Sequence, residues 1–235
     1  EIASCLVGSE MCIRDRERTV SFPYPLVIFD LDGTLVDSAP DIAEAVNRTL
    51  ADWKLRTFDL AQITNWIGEG SRQLITYAMR AAGSDADIDA VMPGFLKHYG
   101  DTALDGQLYP GVADTLAALH GQGMRLAVCT NKPEQFVRPL LEARGVLGLF
   151  DGIVGGDTLP QRKPAPEPLW HLATQFGVER GKSLMVGDSE SDALAAHNAG
   201  VPLVLLRYGY RKQYDLDAAG AVAVLDTFPE LLALR

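Results

Sequence analysis

Residues 29–37 of the chain read Phe-Asp-Leu-Asp-Gly-Thr-Leu-Val-Asp, so two carboxylates, Asp30 and Asp32, stand one residue apart directly after the apolar run at 26–29. Two acids at that spacing stay ionised together only beside a cation, and the following Gly permits a turn that brings both to one divalent ion and one phosphate. Alone, Asp-x-Asp favours the plainer reading of a strand followed by an Asp-Gly turn. Three more strings bear on the choice. Thr130 and Asn131 follow the apolar run at 126–129 and supply a hydroxyl and an amide able to donate to phosphoryl oxygens, although Thr-Asn at a strand end is more often a helix cap. Lys163 lies in Arg-Lys-Pro-Ala-Pro-Glu-Pro, a cation on a stiff approach to a helix that can neutralise a carboxylate and a phosphate; out of context it is a solvated loop charge. Asp188 and Asp192, in Gly-Asp-Ser-Glu-Ser-Asp, share one face if a helix begins there, and each taken singly could be an N-cap.

These residues need elements to hold them. The short apolar runs at 26–29, 126–129, 152–155, 184–186 and 203–206 read as strands of a parallel sheet covered on both faces. Helical patterns intervene at 112–120, 133–143, 168–176 and 191–199, several opened by Pro or an acid and closed by Gly. That alternation predicts an α/β class, a doubly wound parallel-sheet core, and ligands in such folds bind beyond the carboxyl ends of strands, where Asp30 falls. From about residue 40 to about 108 the chain carries only helical patterns, with no strand-like run. Ile42, Val46 and Leu50, then Leu74, Ile75, Ala78 and Met79, fit helices that bury one face on each other. The reading is a small all-helical cap at 40–106 inserted into a core of 23–39 and 107–235, with hinges near 38–40 and 106–110. Residues 1–16 continue no periodicity, and 1–22 are read as a leader that is non-native or disordered.

Composition narrows the partners. A chain of 235 residues, 47% hydrophobic, buries one substantial core and a smaller region. A formal charge of -10 without clustered Lys and Arg argues against a nucleic-acid groove, so an anionic substrate must be met by local cations. Cys5, Cys12 and Cys129 are odd in number and lack metal-ligand spacing, which suits a reducing cytoplasm. No apolar stretch reaches the roughly 18 residues of a membrane span, and no membrane partner is expected. His98, His120, His171 and His197 are scattered without ligand spacing.

The four strings, in this order and each at a strand end or helix start, resemble the haloacid dehalogenase superfamily from about residue 26 to 210. The resemblance implies that superfamily's core with a helical cap, bound Mg2+ and a small phosphorylated metabolite as substrate. It implies Asp30 as nucleophile and Asp32 as general acid and base. Asp30, Asp188 and the backbone carbonyl of Asp32 would be metal ligands, with Asp192 supporting the metal from behind. Lys163, Thr130 and Asn131 would stabilise charge on the phosphoryl oxygens. Within the superfamily the chain is most similar to the phosphoglycolate phosphatases, through Thr-Asn-Lys-Pro at 130–133, Gly-Gly-Asp at 155–157, Lys163-Pro164, the Tyr-Gly-Tyr ending at 208–210 and Gly68-x-Gly70. In the cap, Gly68, Gly70 and Arg72 are candidate readers of a substrate carboxylate, against a plain turn and a solvated Arg72 paired with Glu69. Phosphotransfer between sugar positions, phosphatases of sugar phosphates, nucleotides or pyrophosphate, and a catalytically silent binding module are the alternatives. A monomer or homodimer is expected.

Overall fold

The computed structural model describes residues 22–210 and 212–234; the leader, apart from Phe22, lies outside them. Phe22 itself is buried and packs in the core. Six parallel strands form the sheet: β1 (Leu26–Phe29), β4 (Arg125–Cys129), β5 (Gly152–Val154), β6 (Ser183–Gly187), β7 (Leu203–Leu206) and β8 (Ala223–Leu225), in the order β5-β4-β1-β6-β7-β8. β1 is buried along its whole length because β4 and β6 flank it and helices cover both faces. Those helices are α5 (Val112–Gly121), α6 (Glu134–Ala143), α7 (Glu167–Gln175) and α8 (Glu190–Ala199). One apolar cluster, including Val27, Phe29, Leu116 and Leu140, fills one side of the sheet; another, including Leu26, Ile28, Leu169 and Ala196, fills the other.

Strand order reverses around β1, since β4 lies on one side and β6 on the other, which opens a crevice at the carboxyl ends of these three strands. Asp30, Thr130 and Asp188 directly follow them.

Between β2 (Val36–Asp37) and β3 (Gln107–Leu108) stand four helices, α1 (Ala39–Asp52), α2 (Leu60–Thr64), α3 (Ser71–Ala81) and α4 (Ile88–Thr102). Ile42, Val46, Leu50, Leu74, Ile75, Ala78 and Met79 are buried together with Phe95 and Tyr99 in a cluster separate from the two that sandwich the sheet. β2 and β3 pair antiparallel, so the stretch to residue 108 is not wholly helical: a two-residue strand closes it where only helix was expected. β8 was likewise not expected, because Ala223 and Val224 are half-exposed and lack the continuous apolar run of a central strand. No helix among the described residues is long and apolar enough to cross a membrane.

Candidate active site

Asp30 leaves β1 still in register, its N–H donating to Val186 O at 2.9 Å. Its Oδ1 accepts from Leu31 N at 2.7 Å and lies 3.0 Å from Lys163 Nζ. Lys163 reaches in from the loop before α7 and is shared, with its Nζ also donating to Asp192 Oδ1 at 2.6 Å. Only 2% of Lys163 is exposed, so both contacts are made out of water. Burial alone would lower its pKa; Asp192 and Asp30 outweigh that and raise it, keeping the ammonium charged.

β6 ends at Gly187 and delivers Asp188, whose Oδ1 accepts from Thr34 Oγ1 at 2.8 Å and whose Oδ2 accepts from Tyr210 N. Gly33, at φ +84, and Gly209 pack against this carboxylate so closely that a Cβ on either would collide with it. Ser189 is the N-cap of α8, and Asp192 completes a capping box with it. Asp192 Oδ2 accepts from Asp188 N at 3.1 Å, Ser189 N at 3.0 Å and Ser189 Oγ at 2.7 Å. With Lys163 on its other oxygen, Asp192 is fully engaged by protein donors.

Oxygens of Asp30, Asp188 and Asp192 lie within 4.8 Å of one another. Burial, with Asp192 and Asp30 nearby, pushes Asp188 well above the carboxylate range. Burial also pushes Asp30 up to about 7 although Lys163 pulls it down. When ionised, the four carboxylates Asp30, Asp32, Asp188 and Asp192 face two ammonium groups, Lys132 and Lys163, a deficit of two positive charges. An all-oxygen donor set short of two charges fits one hard divalent cation. Asp30 and Asp188 have capacity to hold it; Asp192 suits the supporting place behind them.

Asp32 turns its side chain away from that cluster. Its Oδ1 accepts from Ser38 Oγ at 2.6 Å and from Lys132 Nζ at 2.8 Å. Lys132, 4% exposed, also hydrogen-bonds the Tyr99 hydroxyl of α4 and lies 4.7 Å from that ring's centre. Burial would lower the Lys132 pKa; Asp32 and Tyr99 outweigh it and raise it. Lys132 and Tyr99 were not among the residues singled out from sequence. Lys132 stood in the Thr-Asn-Lys string, and a second Lys at a strand end bearing acid chemistry was the available clue.

Thr130 and Asn131 follow β4 and are both buried. Thr130 Oγ1 accepts from Lys132 N at 3.2 Å. Asn131 differs from its expected use: Nδ2 donates to Gly68 O and to Lys163 O, each at 2.9 Å. Its Oδ1 has no partner among the described residues. The amide therefore ties the α2–α3 loop to the Lys163 loop, since two carbonyls already take its donors.

Gly68 and Gly70 line a cavity of about 40 Å³ together with Asp30, Asp32, Ile42, Leu74, Phe95, Tyr99, Thr130, Asn131 and Lys132. A wider cleft of about 960 Å³ beside it shares Ile67 and Gly68 but contains none of Asp30, Asp32, Lys132 or Lys163. Arg72 is not brought to the site. Its side chain is half exposed and pairs with Asp89 of α4, because Gly70, Ser71 and Leu74 present the cavity-facing side of α3. Glu69, its expected alternative partner, accepts from Tyr77 Oη at 3.0 Å and pairs with Lys212 at 3.1 Å.

A family model described as haloacid dehalogenase-like hydrolase matches residues 27–206. The phosphoglycolate phosphatase of Rhodospirillum rubrum is 46% identical over 213 residues, covering 87% of this chain and 88% of that protein. The phosphoglycolate phosphatase of Cereibacter sphaeroides is also 46% identical, covering 88% of this chain and 97% of its own. Among solved structures, a predicted phosphoglycolate phosphatase from Haemophilus somnus superposes with a TM-score of 0.84 at 36% identity, covering 90% of this chain and 97% of that one. CbbY from Rhodobacter sphaeroides, solved in complex with phosphate, gives a TM-score of 0.77 at 25% identity over 88% of this chain and 96% of its own.

Proposed function

The chain belongs to the haloacid dehalogenase-like hydrolases, and from that premise we propose that this phosphatase hydrolyses 2-phosphoglycolate to glycolate and phosphate through a phosphorylated Asp30. The observation that carries the reading is the pair of differently held acids in one cavity. Asp30 sits with Asp188 and Lys163, while Asp32 is held apart by Lys132 and Ser38. The two can therefore do different work.

In this reading an oxygen of Asp30 attacks phosphorus in line, and Lys163 faces the negative charge that spreads over the phosphoryl oxygens. Thr130 Oγ1 donates its proton to one of those oxygens. Asp32 protonates the departing ester oxygen and afterwards takes a proton from the water that opens the acyl phosphate. Asp30, Asp188 and the carbonyl of Asp32 would hold Mg2+, which when bound offsets phosphoryl charge. Asn131 holds the cap loop against the Lys163 loop instead of touching phosphate.

The division into a core of 23–39 and 107–235 and a cap of 40–106 is part of the proposal. The separate apolar cluster of α1–α4 and the short β2–β3 connection support it. We place the enzyme in the cytoplasm, as a monomer or homodimer. The test is phosphate release from a panel of phosphomonoesters with Mg2+, run beside the Asp30→Asn variant. Preference for 2-phosphoglycolate over sugar phosphates and nucleotides, lost in the variant, is the expected result. An isomerised phosphate ester without free phosphate would make it a phosphotransferase.

A further inference from the structure

We infer that Lys132 is the residue that reads the carboxylate of the substrate's leaving group; this rests on the phosphoglycolate reading and assigns its specificity to one side chain. Among the described residues lining the cavity at Asp30 and Asp32, Lys132 is the sole cation. Lys163 is committed to Asp30 and Asp192, on the phosphoryl side of the site. Arg72, the cation that spacing pointed to, is paired with Asp89 on an exposed face.

Placement follows from the chemistry of the ester. Asp32 must touch the ester oxygen to protonate it, and in phosphoglycolate the carboxylate carbon is attached to the carbon that bears that oxygen. A cation 2.8 Å from Asp32 Oδ1 therefore lies within reach of the carboxylate whenever Asp32 is in reach of the ester oxygen. Lys132 has a donor to give: its ammonium carries three N–H groups, and Asp32 and Tyr99 are its two hydrogen-bond partners among the described residues. Sharing one buried ammonium between two carboxylates has a precedent in this molecule, where Lys163 serves Asp30 and Asp192 together. Ile42, Ile67, Leu74 and Phe95 on the same walls are apolar and offer a carboxylate nothing, so they raise the worth of the one positive charge beside them. The first turn of α3 adds to the same side: Gly70 and Ser71 line the cavity, and no side chain caps that helix.

The experiment compares kcat/KM for 2-phosphoglycolate with that for ethyl phosphate, which has the same ester oxygen and a methyl group where the carboxylate stands. Wild type should prefer phosphoglycolate. Lys132→Met should shrink that ratio by about ten- to a hundredfold, the range for losing a charge-assisted hydrogen bond, with the change residing in KM. Lys132→Arg should keep part of the ratio. Lys132→Met loses the contact to Asp32, so its absolute rates fall on both esters and only the ratio reports the carboxylate. If Lys132→Met does not fold, Lys132→Gln, which keeps a donor and drops the charge, is read in the same way. A ratio unchanged in a folded uncharged variant overturns the assignment and leaves Lys132 as a support for Asp32. A wild type indifferent between the two esters removes the phosphoglycolate reading itself, and the assignment with it.

Discussion

Asp32 offers one oxygen, Oδ1, to both Lys132 and Ser38, which leaves Oδ2 as the oxygen able to exchange a proton with the leaving group. Asp32→Asn should accordingly lower kcat by about 10²–10⁴-fold on an alkyl phosphate. The loss should be smaller on a nitrophenyl phosphate, whose leaving group departs as a stable anion. Equal losses on both would mean that Asp32 is not the acid. Asp30→Asn should abolish turnover of both, since an amide cannot attack phosphorus, and near-normal activity there would end the covalent mechanism. Arg72→Ala should leave the ratio of phosphoglycolate to ethyl phosphate activity where it was, because its guanidinium faces Asp89 and solvent; a changed ratio would return Arg72 to the site. The strand-end acids were legible from sequence because apolar runs mark where strands stop. Lys132 and Arg72 were not, for one reason: spacing along a helix or loop gives neighbours, not direction. Arg72 is two residues from Gly70, which lines the cavity, yet points away from it; Lys132 reads as a loop charge until Tyr99 arrives from α4.

Tyr210 joins elements that are far apart in the chain. Its hydroxyl accepts from Ser38 N and Ala39 N, both at 2.9 Å, and donates to Asp37 Oδ1 at 2.6 Å, closing the uncapped start of α1. Its own N–H meanwhile donates to Asp188. The backbone that holds one member of the acidic cluster is thus covalently tied to the side chain that fixes the first helix after β2. Tyr210→Phe would leave the buried amides of Ser38 and Ala39 unpaired, at about 1–3 kcal/mol. For a chain of this size each kcal/mol is roughly 2–4 °C in Tm. A calorimetric melt should show that fall, and an unchanged Tm would mean water replaces the hydroxyl at no cost. Sequence exposed the long regular elements, because periodicity accumulates over ten residues or more; α1, α3 and α5 to α8 fall close to where their patterns lie. It could not expose β2 and β3, two residues each, or the half-exposed edge strand β8, whose existence depends on partners rather than on local pattern.

At the scale of the whole molecule, the fold concentrates negative charge at one point of an already acidic chain: β1 and β6 are each followed directly by an aspartate, and α8 brings a third beside them. Protons and metal must then compete for the same oxygens. Burial pushes Asp30 up to about 7, above its ordinary value of 3.8, so near neutral pH the protein's own charges leave it partly protonated. Asp188 is displaced in the same direction. A divalent cation binds the ionised carboxylates, so adding Mg2+ to metal-free enzyme should release protons. The sign of the pH dependence follows. Release is large at pH 6–7, where the raised carboxyls carry protons in the unliganded protein. It declines as pH rises through and beyond the raised value, where those protons have already left. Titration with Mg2+ in a weakly buffered indicator solution reads this without any turnover, and Asp30→Asn should release fewer protons. The same titration should raise Tm, by about 2.7 kcal/mol of added stability at a hundredfold excess over Kd. Ca2+ should also release protons, while its larger and looser shell supports turnover poorly. A release that grows with pH, or none at pH 7, would show that these acids are ionised before the metal arrives and that Lys163 alone suffices to hold Asp30 charged.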